Sequence, residues 1–120
     1  MNNSSENIIV DLTFQFSLDI IKYSELLEEK HKYIVARQLL RSGTSIGANV
    51  REAQNGESKA DFIHKFKIAA KEADETEYWL LLCQKAESYP NIDTLLMDKL
   101  KTILKIINKI ISSSKKIISK

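Results

Sequence analysis

Apolar side chains recur every three or four residues along most of this chain, and the stripes they form predict its elements. Val35, Leu39, Ser42, Ile46 and Val50 make one stripe, which predicts a helix over 33–54 that stops near Asn55 and Gly56. Ser58 with Asp61 three positions on has the form of a capping box. Phe62, Phe66, Ala69, Ala73, Leu80 and Cys83 continue from it and predict a helix over 59–88. At roughly 30 residues it would be the longest, about 45 Å. Pro90 and Asn91 then break the chain. Beyond them Leu96, Leu100, Ile103, Ile107 and Ile110 are spaced four and three apart in turn, a bundle seam that predicts a helix over 92–118. Leu104, Ile106, Ile111 and Ile118 fall off that seam and suggest a second flank for a partner to cover.

The first segment carries two signals. Ile8, Val10, Leu12, Phe14, Phe16, Leu18 and Ile20 alternate with mostly polar neighbours, which taken alone indicates a strand. From Phe16 the set Phe16, Ile20, Tyr23 and Leu27 has helical spacing, and Asp11 or Thr13 is placed to cap such a helix. The expectation is therefore an extended lead-in over 1–12 and a helix over 13–29, with the polar run Glu28 to Lys32 as the turn that follows. Four long helices with short connections predict an all-α fold, a single domain over 1–120 built as an up-down-up-down four-helix bundle, and the second apolar flank of the last helix adds the expectation that it assembles into a homo-oligomer.

The fold must fit around the stretch Arg41 to Ala53, RSGTSIGANVREA, where the smallest side chains gather. Ser42, Gly43, Thr44, Ser45, Gly47 and Ala48 leave one helix thin enough for another backbone to come close. A helical glycine costs about 0.8–1.0 kcal/mol relative to alanine, so Gly43 and Gly47 call for a compensating contact, within the chain or with another copy. Asn49, set among these small residues, is expected to be buried and hydrogen-bonded.

Composition strengthens the helical reading: three glycines and one proline leave few turns for an all-β fold. A lone cysteine, Cys83, forms no internal disulfide and is expected as a buried thiol in a reducing compartment. The opening MNNSSEN has no basic or apolar leader, and the longest apolar run is far too short to span a bilayer, so a cytoplasmic protein is expected. The net charge of +2 is unevenly spread: residues 1–56 carry six basic and seven acidic side chains, 57–98 five and nine, and 99–120 seven lysines and no acid.

The stretch Gln38 to Leu80, QLLRSGTSIGANVREAQNGESKADFIHKFKIAAKEADETEYWL, resembles the bacterial four-helix-bundle proteins encoded by intervening sequences of 23S ribosomal RNA genes. Weaker similarity runs from about Phe16 to the isoleucine-rich helix. The matching positions are Arg41, Ser42, Ser45, Ile46, Ala48, Asn49, Glu52 and Ala53, with Glu75, Glu77 and Trp79. Many relatives have proline where this chain has Gly47, and Glu-Gly where it has Glu52 and Ala53, which places it in another branch. The resemblance implies a ring-shaped homopentamer and a distant relationship to the accessory protein of diversity-generating retroelements, which binds nucleic acid and a reverse transcriptase. It implies no enzymatic activity.

Three kinds of chemistry remain to be weighed. Lys101, Lys105 and Lys109 form an i, i+4 ridge, continued by Lys115, Lys116 and Lys120, that is suited to phosphate backbones; the alternative is a solvated face opposite the isoleucine stripe. Arg37, Arg41 and Arg51 add planar donors on the second helix, although ion pairs with Glu52 or the acids of the third helix compete for them. Glu28-x-x-His31 and Asp61-x-x-His64 have the spacing of carboxylate-bundle metal ligands, but an alternating bundle puts them at opposite ends, about 30 Å apart, so no metal site or cofactor is expected. Glu72, Asp74, Glu75 and Glu77 are read as structural, with a Lys71–Glu75 ion pair, and GTSIG lacks the Lys and Ser/Thr of a phosphate-binding loop. No arginine precedes a histidine at the spacing expected of helical-bundle ribonucleases. The expected function is a non-enzymatic accessory or scaffold protein for ribosomal RNA. The alternative is a protein-interaction module docking through Ile106, Ile111 or Ile118, and a metal-dependent carboxylate-bundle enzyme ranks third.

Overall fold

The computed structural model describes residues 4–119, with side chains placed for 8–115. It contains four α-helices: α1 (Ser4–Glu29), α2 (Tyr33–Ala53), α3 (Lys59–Lys85) and α4 (Thr94–Ser119). They form a rod of 52 × 20 × 20 Å. Each helix packs against two others in the cyclic order α1, α2, α3, α4, which leaves α1 diagonal to α3 and α2 diagonal to α4. With short connections between successive neighbours this is the up-down-up-down bundle.

The expected extended lead-in is replaced by helix: α1 begins at Ser4, and Asp11 and Thr13 lie inside it rather than at its cap. Ile9, Thr13, Phe16, Ile20, Tyr23 and Leu27 are buried at alternating spacings of four and three, a full bundle stripe. Ile8, Phe14 and Leu18 are apolar as well, yet about half exposed. Two apolar faces on one helix therefore superimpose into an apparent period of two. Thr13 fits the core because its hydroxyl donates to the carbonyl of Ile9, 2.8 Å away.

The connections follow from local chemistry. His31 adopts a left-handed conformation, φ 63°. It ends α1 with the amide of Lys32 donating to Leu27 and its own amide to Glu28, at 2.8 and 2.9 Å, a Schellman closure with histidine in glycine's usual place. At the start of α3 the Ser58 hydroxyl accepts from the Asp61 amide at 3.1 Å, as the capping box predicts. Helix α3 ends at Lys85, three residues earlier than expected, where Ala86 turns extended. Helix α4 starts at Thr94 rather than 92, with the Asp93 carboxylate accepting from the Leu95 amide.

Two cross-links fix the helices against one another. The hydroxyls of Ser42 on α2 and Thr76 on α3 lie 3.0 Å apart in the core. Asn49, expected to be the buried polar residue, is only half buried, and its amide donates to Ser45 of its own helix. The Tyr23 hydroxyl donates to the Pro90 carbonyl at 2.7 Å, tying α1 to the α3–α4 connection. Burial pushes the Tyr23 hydroxyl well above the ordinary tyrosine range and raises the Cys83 thiol as well. For both groups the unfolded chain loses its proton first, so their contribution is intact below the unfolded pKa values and disappears as pH rises towards the folded ones. Stability is accordingly expected to decline above about pH 9–10, and a Tyr23→Phe variant, followed by chemical denaturation, should show a shallower decline.

Candidate nucleic-acid interface

Helix α4 buries Leu96, Met97, Leu100, Ile103, Ile107 and Ile110, which turns the opposite side of the helix to water. Lys101, Lys105 and Lys109 are all exposed there, and none is ion-paired among the described residues. Successive lysines one turn apart place three ammonium groups along about 12 Å of helix. Lys101 and Lys105 border a shallow groove with Leu104 and Asn108. The side chain of Lys116, which would extend the ridge, lies outside the described residues, as does that of Ile118.

The arginines are not part of this surface. Arg51 lines a cleft of about 210 Å³ between α1 and α2, together with Val10, Phe14, Thr44, Gly47 and Ala48. Arg37, two heptads before Arg51, belongs to the same flank of α2 and is exposed. Because α2 stands diagonally across from α4, Arg37 and Arg51 do not join the lysine ridge within one chain. Arg41 faces α3, where its guanidinium binds Glu72 at 3.2 Å and also pairs with Glu75. The Glu75 carboxylate accepts from the Trp79 indole at 3.0 Å as well. That arrangement replaces the expected Lys71–Glu75 pair, since the carboxylate is turned towards α2. Arg41 remains about half exposed, so this network is a surface clasp between two helices.

The histidine motifs fall at opposite ends of the bundle, Glu28 and His31 at the close of α1 and Asp61 and His64 at the opening of α3. The His31 ring contacts the Tyr33 hydroxyl at 2.7 Å. Among the described residues no three His, Cys, Asp or Glu side chains come together as metal ligands would. No helix among them is long and apolar enough to cross a membrane.

The packing segment divides its residues between neighbours. Gly43 and Gly47 face α1, Ser42 is sealed against α3, and Ser45 and Asn49 satisfy their polar groups within α2. Ala48 lines the α1–α2 cleft. Beside that cleft Phe14, Leu18, Ile21 and Leu40 are 39–51% exposed, the surface that the alternating pattern of the first segment concealed. Ile106 and Ile111, expected to form a docking flank on α4, are partly buried against the core.

The family described as 23S rRNA-intervening sequence protein matches residues 5–112, across all four helices. The chain belongs to that family. A crystal structure from Bacteroides thetaiotaomicron, described as a protein with unknown function from the S23 ribosomal protein family, is 40% identical in sequence and superimposes with a TM-score of 0.82. The alignment covers 90% of this chain and 98% of the Bacteroides one. No curated protein matches the sequence. In this intervening-sequence family member the resemblance seen in Arg41 to Ala53 coincides with the helix that both α1 and α3 pack against.

Two features of the surface are missed when only the core stripes and the α4 ridge are followed. Phe14, Leu18 and Ile21 recur at i, i+4 and i+7, a helical signal hidden by alternation with the core stripe. Lys67 and Lys71 of α3 are exposed and free of ion pairs among the described residues, and their four-residue spacing was the available clue.

Proposed function

We propose that this protein is a non-enzymatic, self-associating helical scaffold of the cytoplasm that holds ribosomal RNA or its processing products through phosphate contacts. The observation that carries the reading is the row Lys101, Lys105 and Lys109, three exposed ammonium groups in register with no carboxylate partner among the described residues. A lysine ridge of this kind neutralises phosphates and releases counterions without reading bases. Self-association is supported by Phe14, Leu18, Ile21 and Leu40, a strip of apolar surface along α1 and α2 that another copy would remove from water. A ring of five copies, the assembly the resemblance implies, would repeat the ridge and multiply its field.

The test is a salt titration of binding to a structured ribosomal RNA fragment and to an unrelated RNA, with particle mass followed in the same buffers. Affinity is expected to fall linearly with log salt, by about 0.7–0.9 per neutralised phosphate, and mass to exceed that of one chain. If neither RNA binds at low salt, the apolar α1–α2 strip becomes the leading feature and the protein is an interaction module for other proteins.

A further inference from the structure

The charge of α3 is polarised along its length. From Lys59 to Lys71 it carries four lysines against the single acid Asp61, and from Glu72 to Lys85 four acids against the single lysine Lys85. Helix α4 has the opposite order, with Asp98 early and lysines from Lys99 onward. Because the two helices are antiparallel neighbours, the lysine-rich half of one lies beside the lysine-rich half of the other. Lys65 is turned towards α2, where it pairs with Glu52 at 2.8 Å. Lys67 and Lys71 stand on the exposed side of α3, as Lys105 and Lys109 do on α4. Neighbouring helix axes lie about 8–10 Å apart, so the end of the bundle presents two parallel rows of ammonium groups rather than one.

We infer that this α3–α4 face is the nucleic-acid surface and that it grips base-paired RNA, one row of lysines for each strand. The inference rests on the RNA-binding reading above and adds its location and its ligand class. Two absences of chemistry on the face select the duplex. Single strands are held by bases stacked on aromatic rings; the exposed aromatics Phe14 and Tyr33 lie on α1 and α2, and Tyr78, on the same flank of α3 as Lys67 and Lys71, stands about two turns beyond Lys71, past Asp74 and outside the lysine-rich half. Phe62, within the lysine-rich half of α3, is tilted against Phe66 at 4.8 Å between centroids, has the Lys59 ammonium 5.1 Å from its ring centroid and borders the end of α2. The face also has no arginine, since Arg37, Arg41 and Arg51 all belong to α2, so no planar fork is present to read guanine edges. What remains is two rows of positive charge, which suits an RNA helix recognised by its backbone.

The deciding experiment measures binding of the full-length protein to a blunt RNA duplex and to one of its strands, over a range of salt. It compares wild type with Lys67→Gln/Lys71→Gln/Lys105→Gln/Lys109→Gln and with Arg37→Gln/Arg51→Gln. All six positions are exposed, and helix content by circular dichroism checks that each variant is folded. Wild type is expected to prefer the duplex. The fourfold lysine variant should lose affinity on the order of 100-fold near physiological salt, and its slope of log K against log salt should fall by about 3 to 4, while the arginine variant stays near wild type. Retained duplex binding in the lysine variant with loss in the arginine variant overturns the location while RNA binding stands. Equal or tighter binding of the single strand overturns the duplex. Binding to neither RNA at low salt removes the reading on which the inference rests.

Discussion

Phe66→Ala is expected to lower the free energy of unfolding by about 3–5 kcal/mol, among the largest losses available to a single truncation in this chain. Phe66 is fully buried, one of the two largest side chains to be so, the other being Phe16 on α1. It sits on α3 just ahead of the alanines and threonine that let neighbouring helices approach, Ala69, Ala73 and Thr76. Those small residues have nothing to extend into the space a phenyl ring leaves, and Phe62, already tilted against it, is anchored one turn away. The cavity therefore persists and adds its own cost to the lost transfer free energy. A domain of this size has about 6–18 kcal/mol in total, so the variant should remain folded with a clearly lower urea midpoint and an unchanged m value. Phe14→Ala, on the 51% exposed ring of α1, gives the contrast: in a dissociated chain its cost should stay within roughly 0.5 kcal/mol. A Phe66→Ala midpoint indistinguishable from wild type would mean that the core is not packed as described.

The contrast between these two phenylalanines also shows what the sequence made legible. Helices α2 to α4 could be placed because each carries a continuous apolar stripe at helical spacing, and only their ends shifted where the extended Ala86 and a cap at Asp93 took over. Helix α1 was misplaced because Phe14 and Leu18 are as apolar as Phe16 and Ile20, and hydropathy alone does not separate a face turned inward from one turned outward. Buried hydroxyls were hard to foresee for a related reason: Thr13 and Thr76 satisfy themselves on carbonyls one turn back, so they pack like small apolar groups. In the candidate site the lysine ridge was readable, since exposure on α4 follows from the stripe opposite. The separation of Arg37 and Arg51 from it was not, because that depends on which neighbour each flank of α2 meets. That some arginine of α2 would pair with Glu52 or with acids of α3 is readable from the sequence; which one is not, and Arg41 with Glu72 and Glu75 makes the pair.

The second large effect concerns Gly43, where helix propensity and packing oppose each other. Alanine in a helix interior is favoured over glycine by about 0.8–1.0 kcal/mol, so on propensity alone Gly43→Ala should stabilise the protein. A Cβ built at Gly43, however, falls 2.8 Å from Cγ2 and 2.9 Å from Cγ1 of Ile20, and 3.3 Å from its Cβ. Ile20 cannot swing clear: it is β-branched, nearly locked at χ1 in a helix, and fully buried. Relief requires α1 and α2 to separate, which opens the seam along Phe16, Leu39 and Ile46; overpacking of this kind costs about 1–3 kcal/mol. Sterics are therefore expected to win, and Gly43→Ala should destabilise by up to about 2 kcal/mol net, with Gly43→Val well beyond that. The two terms can be separated in a double-mutant cycle with Ile20→Ala, which removes the two offending carbons at a cost of its own of about 2–5 kcal/mol. In that background, of the three nearest atoms only the Cβ at position 20 remains, at 3.3 Å, and Gly43→Ala should become neutral or stabilising, a coupling of about 1–3 kcal/mol. Additive costs would locate the penalty elsewhere. The predicted coupling would show that glycine stands at 43 because Ile20 of the same chain occupies the space, so that the thin stretch of α2 serves the bundle itself before it serves any neighbouring copy.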